Sequence, residues 1–196
     1  MKTSVNLIQQ VSGSSDSMAW SRLVTMYRPY ISGWLLQAGI KEHDVEDVCQ
    51  DVFSAVAKGI KNFQHSGRDG AFRNWLRNIT VNQCRRYRKK NAKHFDVSSG
   101  SKADRFLNRL ADPKTELSKR WNREHDKHVL QTILEKLSDE FDYSTMHVFH
   151  QLVICKQPAN EVAQELNITV REALAMSSTV MQRVVREAAT LEDSDF

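Results

Sequence analysis

The chain has 196 residues, with 28 Lys and Arg against 24 Asp and Glu, a formal net charge of +4 and a pI of about 9.0. That length suits one mid-sized domain or two small ones, and seven Gly and three Pro are too few for an all-β chain built on many turns. No apolar run approaches the ~20 residues that cross a bilayer, so no membrane insertion is expected. The three cysteines, Cys49, Cys84 and Cys155, are far apart and form no Cys-x-x-Cys, which argues against a disulfide frame or a structural zinc site and fits a reducing cytoplasm. The opening MKTSVNLIQQVSG lacks the apolar core of a secretory signal.

Taken in order, the chain reads as all-α. Residues 1–17 form a turn-rich lead ending in SGSSDS, and a helix is expected from about Met18. Trp20, Leu23, Val24 and Tyr27 share a face; Pro29 is expected to open a new turn, and Ile31, Trp34, Leu35 and Ala38 continue an apolar stripe to Gly39. Asp44 is the expected N-cap of a helix running to about Gly59. KNFQHSGRDG (61–70) reads as a loop. A helix follows from about Ala71 to Lys90, with Phe72, Trp75, Leu76 and Ile79 on one apolar face. Residues 91–115 lose clean periodicity and collect Ser, Gly, Asp and Pro113, so they read as a linker with at most one helical turn around Phe106–Leu110. Helical pattern returns at Glu116. Val129, Ile133, Leu134 and Leu137 make one stripe, and Met146, Phe149, His150 and Val153 another. LEDSDF (191–196) is an acidic tail.

Charge is segregated. Residues 42–51 carry five acids and no Lys or Arg; residues 72–93 carry eight Lys or Arg and no acid. Asp44, Asp47 and Asp51, at i, i+3 and i+7, line one helix face beside an apolar one formed by Val45, Val48, Val52 and Ala55. Like charges at this spacing cost a few tenths of a kcal/mol per pair, a cost that a basic partner would offset. Arg85, Arg86 and Arg88 serve no apolar stripe, and their density favours nucleic acid over plain solvation. Aromatic rings at Phe63, Trp75 and Tyr87 are available for base stacking, although Trp75 falls on the apolar stripe and reads better as core. Asn82 suits a base edge or an ordinary surface position.

Residues 158–188 have the helix-turn-helix pattern. Pro158 starts a short helix, Val162, Ala163 and Leu166 make its apolar face, Asn167 suits a left-handed turn, and Thr169 can N-cap a second helix. Ala163 is the small residue where the two helices would pack closely. In WNREHDKH (121–128), His125 and His128 lie at i and i+3, but nothing supplies a third ligand or a positioned base. No glycine-rich phosphate loop and no nucleophile motif occurs. Neither an enzyme nor a cofactor nor a metal is expected.

In this order the segments resemble the extracytoplasmic-function (ECF) sigma factors of the sigma-70 family, over roughly residues 18–90 and 117–188. DVEDVCQDVF looks like the helix of sigma region 2 that binds core RNA polymerase. GAFRNWLRNITVNQCRRYRKK looks like the helix that opens and reads the promoter −10 element. WNREHDKHVLQTILEKL through ANEVAQELNITV looks like region 4, which reads the −35 element. AW at 19–20, YRPY at 27–30 and the spaced Asp44, Asp47 and Gln50 add to the likeness; the WNREH entry and the segment around Phe141 look most like the sigma sets of planctomycete-type bacteria. The resemblance implies two small helical domains, region 2 over 18–90 and region 4 over 116–190, joined by the linker. It implies that Asp44, Asp47, Gln50 and Asp51 meet the polymerase. It assigns Phe63, His65, Arg73, Arg77, Asn82, Arg85, Arg86 and Arg88 to −10 DNA, and Thr169, Arg171, Ser177, Ser178, Thr179 and Arg183 to −35 DNA. The implied partners are core RNA polymerase (its largest clamp subunit and its flap), promoter DNA and an anti-sigma protein.

The resemblance has one departure. The family's recognition helix carries Lys or Arg in its middle, whereas ALAMSSTVMQ (173–182) places Ser177, Ser178 and Thr179 there. Fewer phosphate contacts should weaken duplex binding and flatten its salt dependence. Two other readings stay open. One is a stand-alone helix-turn-helix regulator that acts without polymerase. The other is a metal-dependent hydrolase using His125 and His128.

Overall fold

A computed structural model of the chain describes residues 17–63, 70–91 and 97–190. Among these residues every regular element is helical and no strand occurs. The helices are α1 (Ser17–Gln37), α2 (Glu42–Ile60), α3 (Ala71–Lys90), α4 (Val97–Ala111), α5 (Glu116–Leu137), α6 (Tyr143–Phe149), α7 (Ala159–Glu165) and α8 (Val170–Thr190), with a π-helical turn over His150–Ile154 after α6. The chain forms two compact units that part between His128 and Val129, inside α5.

In the first unit α1 does not restart at Pro29; it runs through it. A mid-helix proline loses one hydrogen bond and crowds the preceding turn, at a cost of about 3 kcal/mol. Burial of Tyr27, Ile31, Trp34 and Leu35, each no more than 2% exposed, outweighs that cost at roughly 1.5–3 kcal/mol per side chain. The helix ends where Gly39 turns to φ +83, with the amide of Ile40 on the Leu35 carbonyl and that of Gly39 on Leu36, a pairing that satisfies the last carbonyls.

α2 begins two residues before the expected cap. Lys41 holds the N-cap position and makes no side-chain cap bond, so Asp44 lies in the first turn instead. There, with Glu42, it faces the positive end of the helix dipole. The buried face of α2 is Val45, Val48, Cys49, Val52, Phe53, Val56 and Ile60.

α3 is rotated relative to the sequence reading. Phe72 and Leu76 are buried as expected, but Trp75 and Ile79 are only half-buried, and the inner face continues through Arg77, Thr80, Val81, Cys84 and Arg88. The reason lies in residues 97–128. The expected linker contains a 15-residue helix, α4, which packs on α3 and buries Leu107 and Leu110 to 1% exposure. The first half of α5 belongs to the same unit. Trp121, fully buried, packs against Tyr30 and Trp34 at ring separations of 4.8 and 5.1 Å, donates its indole N–H to the Arg73 carbonyl and accepts nothing in return there, while its own carbonyl takes the Tyr30 hydroxyl at 2.8 Å.

The second unit comprises the rest of α5 with α6, the π-turn, α7 and α8. Val148, Val162, Ala163 and Ala173 form a core lined by Leu152, Leu166, Ile168 and Met176. Asp142 caps α6 by accepting the amide and the hydroxyl of Thr145.

Candidate nucleic-acid interface

On α2 the structure leaves Asp47, Gln50 and Asp51 exposed. Gln50 donates to Glu46, whose carboxylate also pairs with Arg28 of α1. Asp44 differs. It is half-buried, accepts the Tyr87 hydroxyl from α3 at 2.5 Å, and has His43 Nε2 at 3.1 Å. Burial, then the bond to this carboxylate, pushes the Tyr87 phenol up to about 12. One acid of the expected set therefore ties α2 to α3, and two point outward.

The basic residues of α3 separate in the same way. Asn82, Arg86, Lys89 and Lys90 are exposed and make no polar contact with another described side chain. Arg85 is exposed and donates to Asn108 of α4 at 2.8 Å. Arg73, Arg77 and Arg88, expected on the DNA side, turn toward the later helices. Arg77 is 2% exposed and donates to the Ser118 hydroxyl, while its Nε finds no partner. Burial, the leading cause, lowers its pKa. Arg73 pairs with Asp126 at 2.6 Å, and Arg88, 8% exposed, lies 3.5 Å from Asp104. These arginines are buried or half-buried because α4 and α5 close over them. Periodicity within 72–90 carries no signal for Asp104, Asn108, Ser118 and Asp126, which sit 16 to 53 residues away from their arginine partners.

Phe63, three residues after α2, is half-buried against Trp75 and Phe72 at 4.9 and 6.0 Å. Gly59 of α2 makes room for that cluster, since a Cβ there would lie 2.9 Å from Trp75 Cζ2. His65 lies outside the described residues.

His125 and His128 are packed into the first unit. His125, 1% exposed, stacks on Tyr27, meets its hydroxyl at 3.1 Å and has Nδ1 3.3 Å from Asp126; His128 bonds the Met26 carbonyl. Burial holds the His125 imidazole below its ordinary pKa against the pull of Asp126. Among the described residues no group of three His, Cys, Asp or Glu side chains could hold a metal ion.

In the second unit Asn167 adopts φ +53 between α7 and α8, the left-handed turn its residue type suits. Thr169 and Glu172 form a reciprocal capping box, with the Thr169 amide on Glu172 at 2.7 Å and the Glu172 amide on the Thr169 hydroxyl at 3.2 Å. Arg171, Ser178 and Thr179 are exposed, and the Thr179 hydroxyl donates to the Ala175 carbonyl. Ser177 is 8% exposed and turns inward. Arg183 is held by both oxygens of Glu140, at 2.8 and 3.0 Å, and by Glu187 at 2.6 Å.

No curated protein sequence matches this chain significantly. Over its full length the chain is similar to a solved structure entitled "Structure of CnrH in complex with the cytosolic domain of CnrY", at 22% identity, covering 96% of this chain and 97% of that one, with a TM-score of 0.37. Among the described residues no helix is long and apolar enough to cross a membrane. Residues 23–94 match the family described as Sigma-70 region 2, a span that covers most of α1 and all of α2 and α3. Residues 23–94 are thus similar to region 2 of the sigma-70 factors.

Proposed function

We propose that this protein is an RNA polymerase sigma factor of the ECF type, which binds core polymerase and directs promoter recognition, melting and initiation. One observation carries the reading: within a domain matching sigma-70 region 2, an outward acidic face on α2 stands next to an outward basic face on α3, and Tyr87–Asp44 couples the two. The acidic face (Asp47, Gln50 and Asp51, with Asp44 at its edge) docks on a basic surface of the polymerase clamp. The basic face (Asn82, Arg85 and Arg86, extended by Lys89 and Lys90) holds −10 DNA, with Phe63 and Trp75 beside the strand that is opened. Arg73, Arg77 and Arg88 position α3 rather than touch DNA. The helix-turn-helix of α7 and α8 faces the −35 element, with Thr169 capping and Arg171, Ser178 and Thr179 outward. In functional terms residues 18–90, covered by α4 and the first half of α5, act as region 2, and the second unit, from Val129, as region 4. The protein does no chemistry of its own in this scheme, and an anti-sigma protein would silence it by covering either charged face.

Run-off transcription tests the proposal. Purified core polymerase is supplied with promoter fragments from the source genome, with and without this protein. Specific transcripts that depend on the protein are expected. Stable core binding without transcripts, or neither, would refute the assignment.

A further inference from the structure

The two halves of the chain differ sharply in charge. Residues 1–128 hold 23 Lys and Arg against 13 Asp and Glu, a net +10, while residues 129–191 hold five against eight, a net −3. The second unit therefore lacks the general positive field that draws a protein to phosphates. Its helix-turn-helix nonetheless presents an unusual outward face. Val170, Leu174, Met181 and Val185, at i, i+4, i+11 and i+15 of α8, are 43, 53, 38 and 59% exposed, and Ser178 fills the i+8 place in the row. Leu174, Ser178, Met181 and Val185 line a shallow groove of about 560 Å³. The opposite side of the helix, Ala173, Val180 and Val184, is already core. Arg171 and Arg186 stand exposed near the two ends of the row, about 22 Å apart along the helix, and neither has a described partner.

The second helix of a helix-turn-helix places its first turns against base edges in the major groove. Guanine is read by Arg or Lys and adenine by Asn or Gln, whereas thymine offers a methyl group that apolar side chains contact. The first turns of α8 expose Val170, Arg171, Glu172, Leu174, Ala175 and Ser178, with Glu172 engaged by the Thr169 amide and hydroxyl. Arg171, at the edge of the row, is the long polar side chain among them that the capping box does not hold. The residues that face outward are suited to methyl groups.

We propose that α8 reads thymine methyl groups, chiefly through Leu174 with Val170 and Ser178 beside it, in a major groove whose phosphates meet Arg171 and Arg186. This rests on the −35 reading above and names its substrate class: a duplex with a run of thymines on one strand. The two end arginines complement phosphate on either side of the groove. Ser178 interrupts the row where a protein helix would need a continuous apolar ridge, and charged Arg171 and Arg186 flank it, so duplex DNA fits it better than a protein does.

The full-length protein is used to enrich a randomised duplex pool, and the enriched duplex is then made with deoxyuridine in place of thymidine. Thymine runs should be enriched, and loss of the methyls should weaken binding about fourfold for each one buried. Leu174→Ala, an exposed position, should bind the two duplexes alike. Equal binding of both duplexes by the unaltered protein overturns the proposal, as does thymine discrimination that survives Leu174→Ala. If Leu174→Ala leaves discrimination intact but loses core polymerase, the row is a protein dock and the proposal fails. Retained core binding with no sequence enriched at all would instead refute −35 reading by this unit.

Discussion

Arg77 and Arg86 lie nine residues apart on one basic helix and should behave oppositely when changed. Arg77 is 2% exposed, its guanidinium reaches the Ser118 hydroxyl, and its Nε has no partner. Arg77→Ala removes two buried methylenes worth roughly 1.6 kcal/mol, at about 0.8 each, and leaves a hydroxyl unpaired at about 1 kcal/mol. Part of that is offset, because burial already disfavours the Arg77 charge. The net loss should be about 2 kcal/mol. Arg77→Met keeps the stem and drops the charge, so it should fall within about 1 kcal/mol of the unaltered protein. Arg86→Met should leave stability unchanged. All four tryptophans, Trp20, Trp34, Trp75 and Trp121, lie in the first unit, so urea unfolding followed by tryptophan fluorescence isolates it. Promoter binding by the holoenzyme is then titrated with salt. Each lost phosphate contact lowers the slope of log K against log salt by about 0.7–0.9, a change expected for Arg86→Met and not for Arg77→Met. The reverse pattern, with Arg77→Met stable but one phosphate short, would refute the division of α3 into a holding face and a DNA face.

The His125 imidazole, enclosed by Tyr27 and Tyr30 of α1, Asp126 and His128 of α5 and Arg73 of α3, is kept below its ordinary pKa chiefly by burial. The fold disfavours its protonation, whereas the unfolded chain takes up a proton near pH 6.5, so the first unit should lose stability as pH falls below about 6.5 until the folded group also protonates, by at most about 1.4 kcal/mol per pH unit from this group. His125→Gln should flatten that dependence in urea titrations; an unchanged slope would exclude His125 as its source. Asp47→Arg, at an exposed position, should abolish core polymerase capture without moving the unfolding midpoint, and retained capture would remove the α2 face from the docking scheme. Thr169→Ala breaks the reciprocal capping box and should cost the second unit about 1 kcal/mol, read as an earlier loss of helical circular dichroism.

The elements most visible in the sequence were those whose signals are local. Thr169, three residues before Glu172, and Asn167, with its left-handed turn, appear in the structure where their residue types place them. The buried stripe of α2 and the helical class follow from periodicity in the same way. What periodicity missed has a common cause. α3 looks amphipathic along Phe72, Trp75, Leu76 and Ile79, yet its inner face is completed by arginines that find Ser118, Asp126 and Asp104 far along the chain. A charged side chain can be buried only if something distant receives it, and one-dimensional spacing does not show the receiver. Pro29 misled for a related reason, because the burial that carries α1 through it comes from tertiary packing. The 97–111 helix was hidden by Ser and Gly in its first turn, although its hydrophobic residues gather at Phe106, Leu107 and Leu110.

The enclosure of α3 by later sequence has a consequence for the order of events at the ribosome. The helix is fully synthesised at Lys90, but Trp121, Ser118, Asp126 and His125, which cover its inner face, appear only as the chain reaches His128. At about 5–20 residues per second that is a wait of roughly 2–8 s. For most of that wait Arg77 and Arg73 lack Ser118 and Asp126, Trp34 and Tyr30 lack the Trp121 ring, and the nascent chain is surrounded by ribosomal RNA. The first unit cannot close until the chain is two-thirds made, and the segment that closes it is the one whose other end begins the second unit.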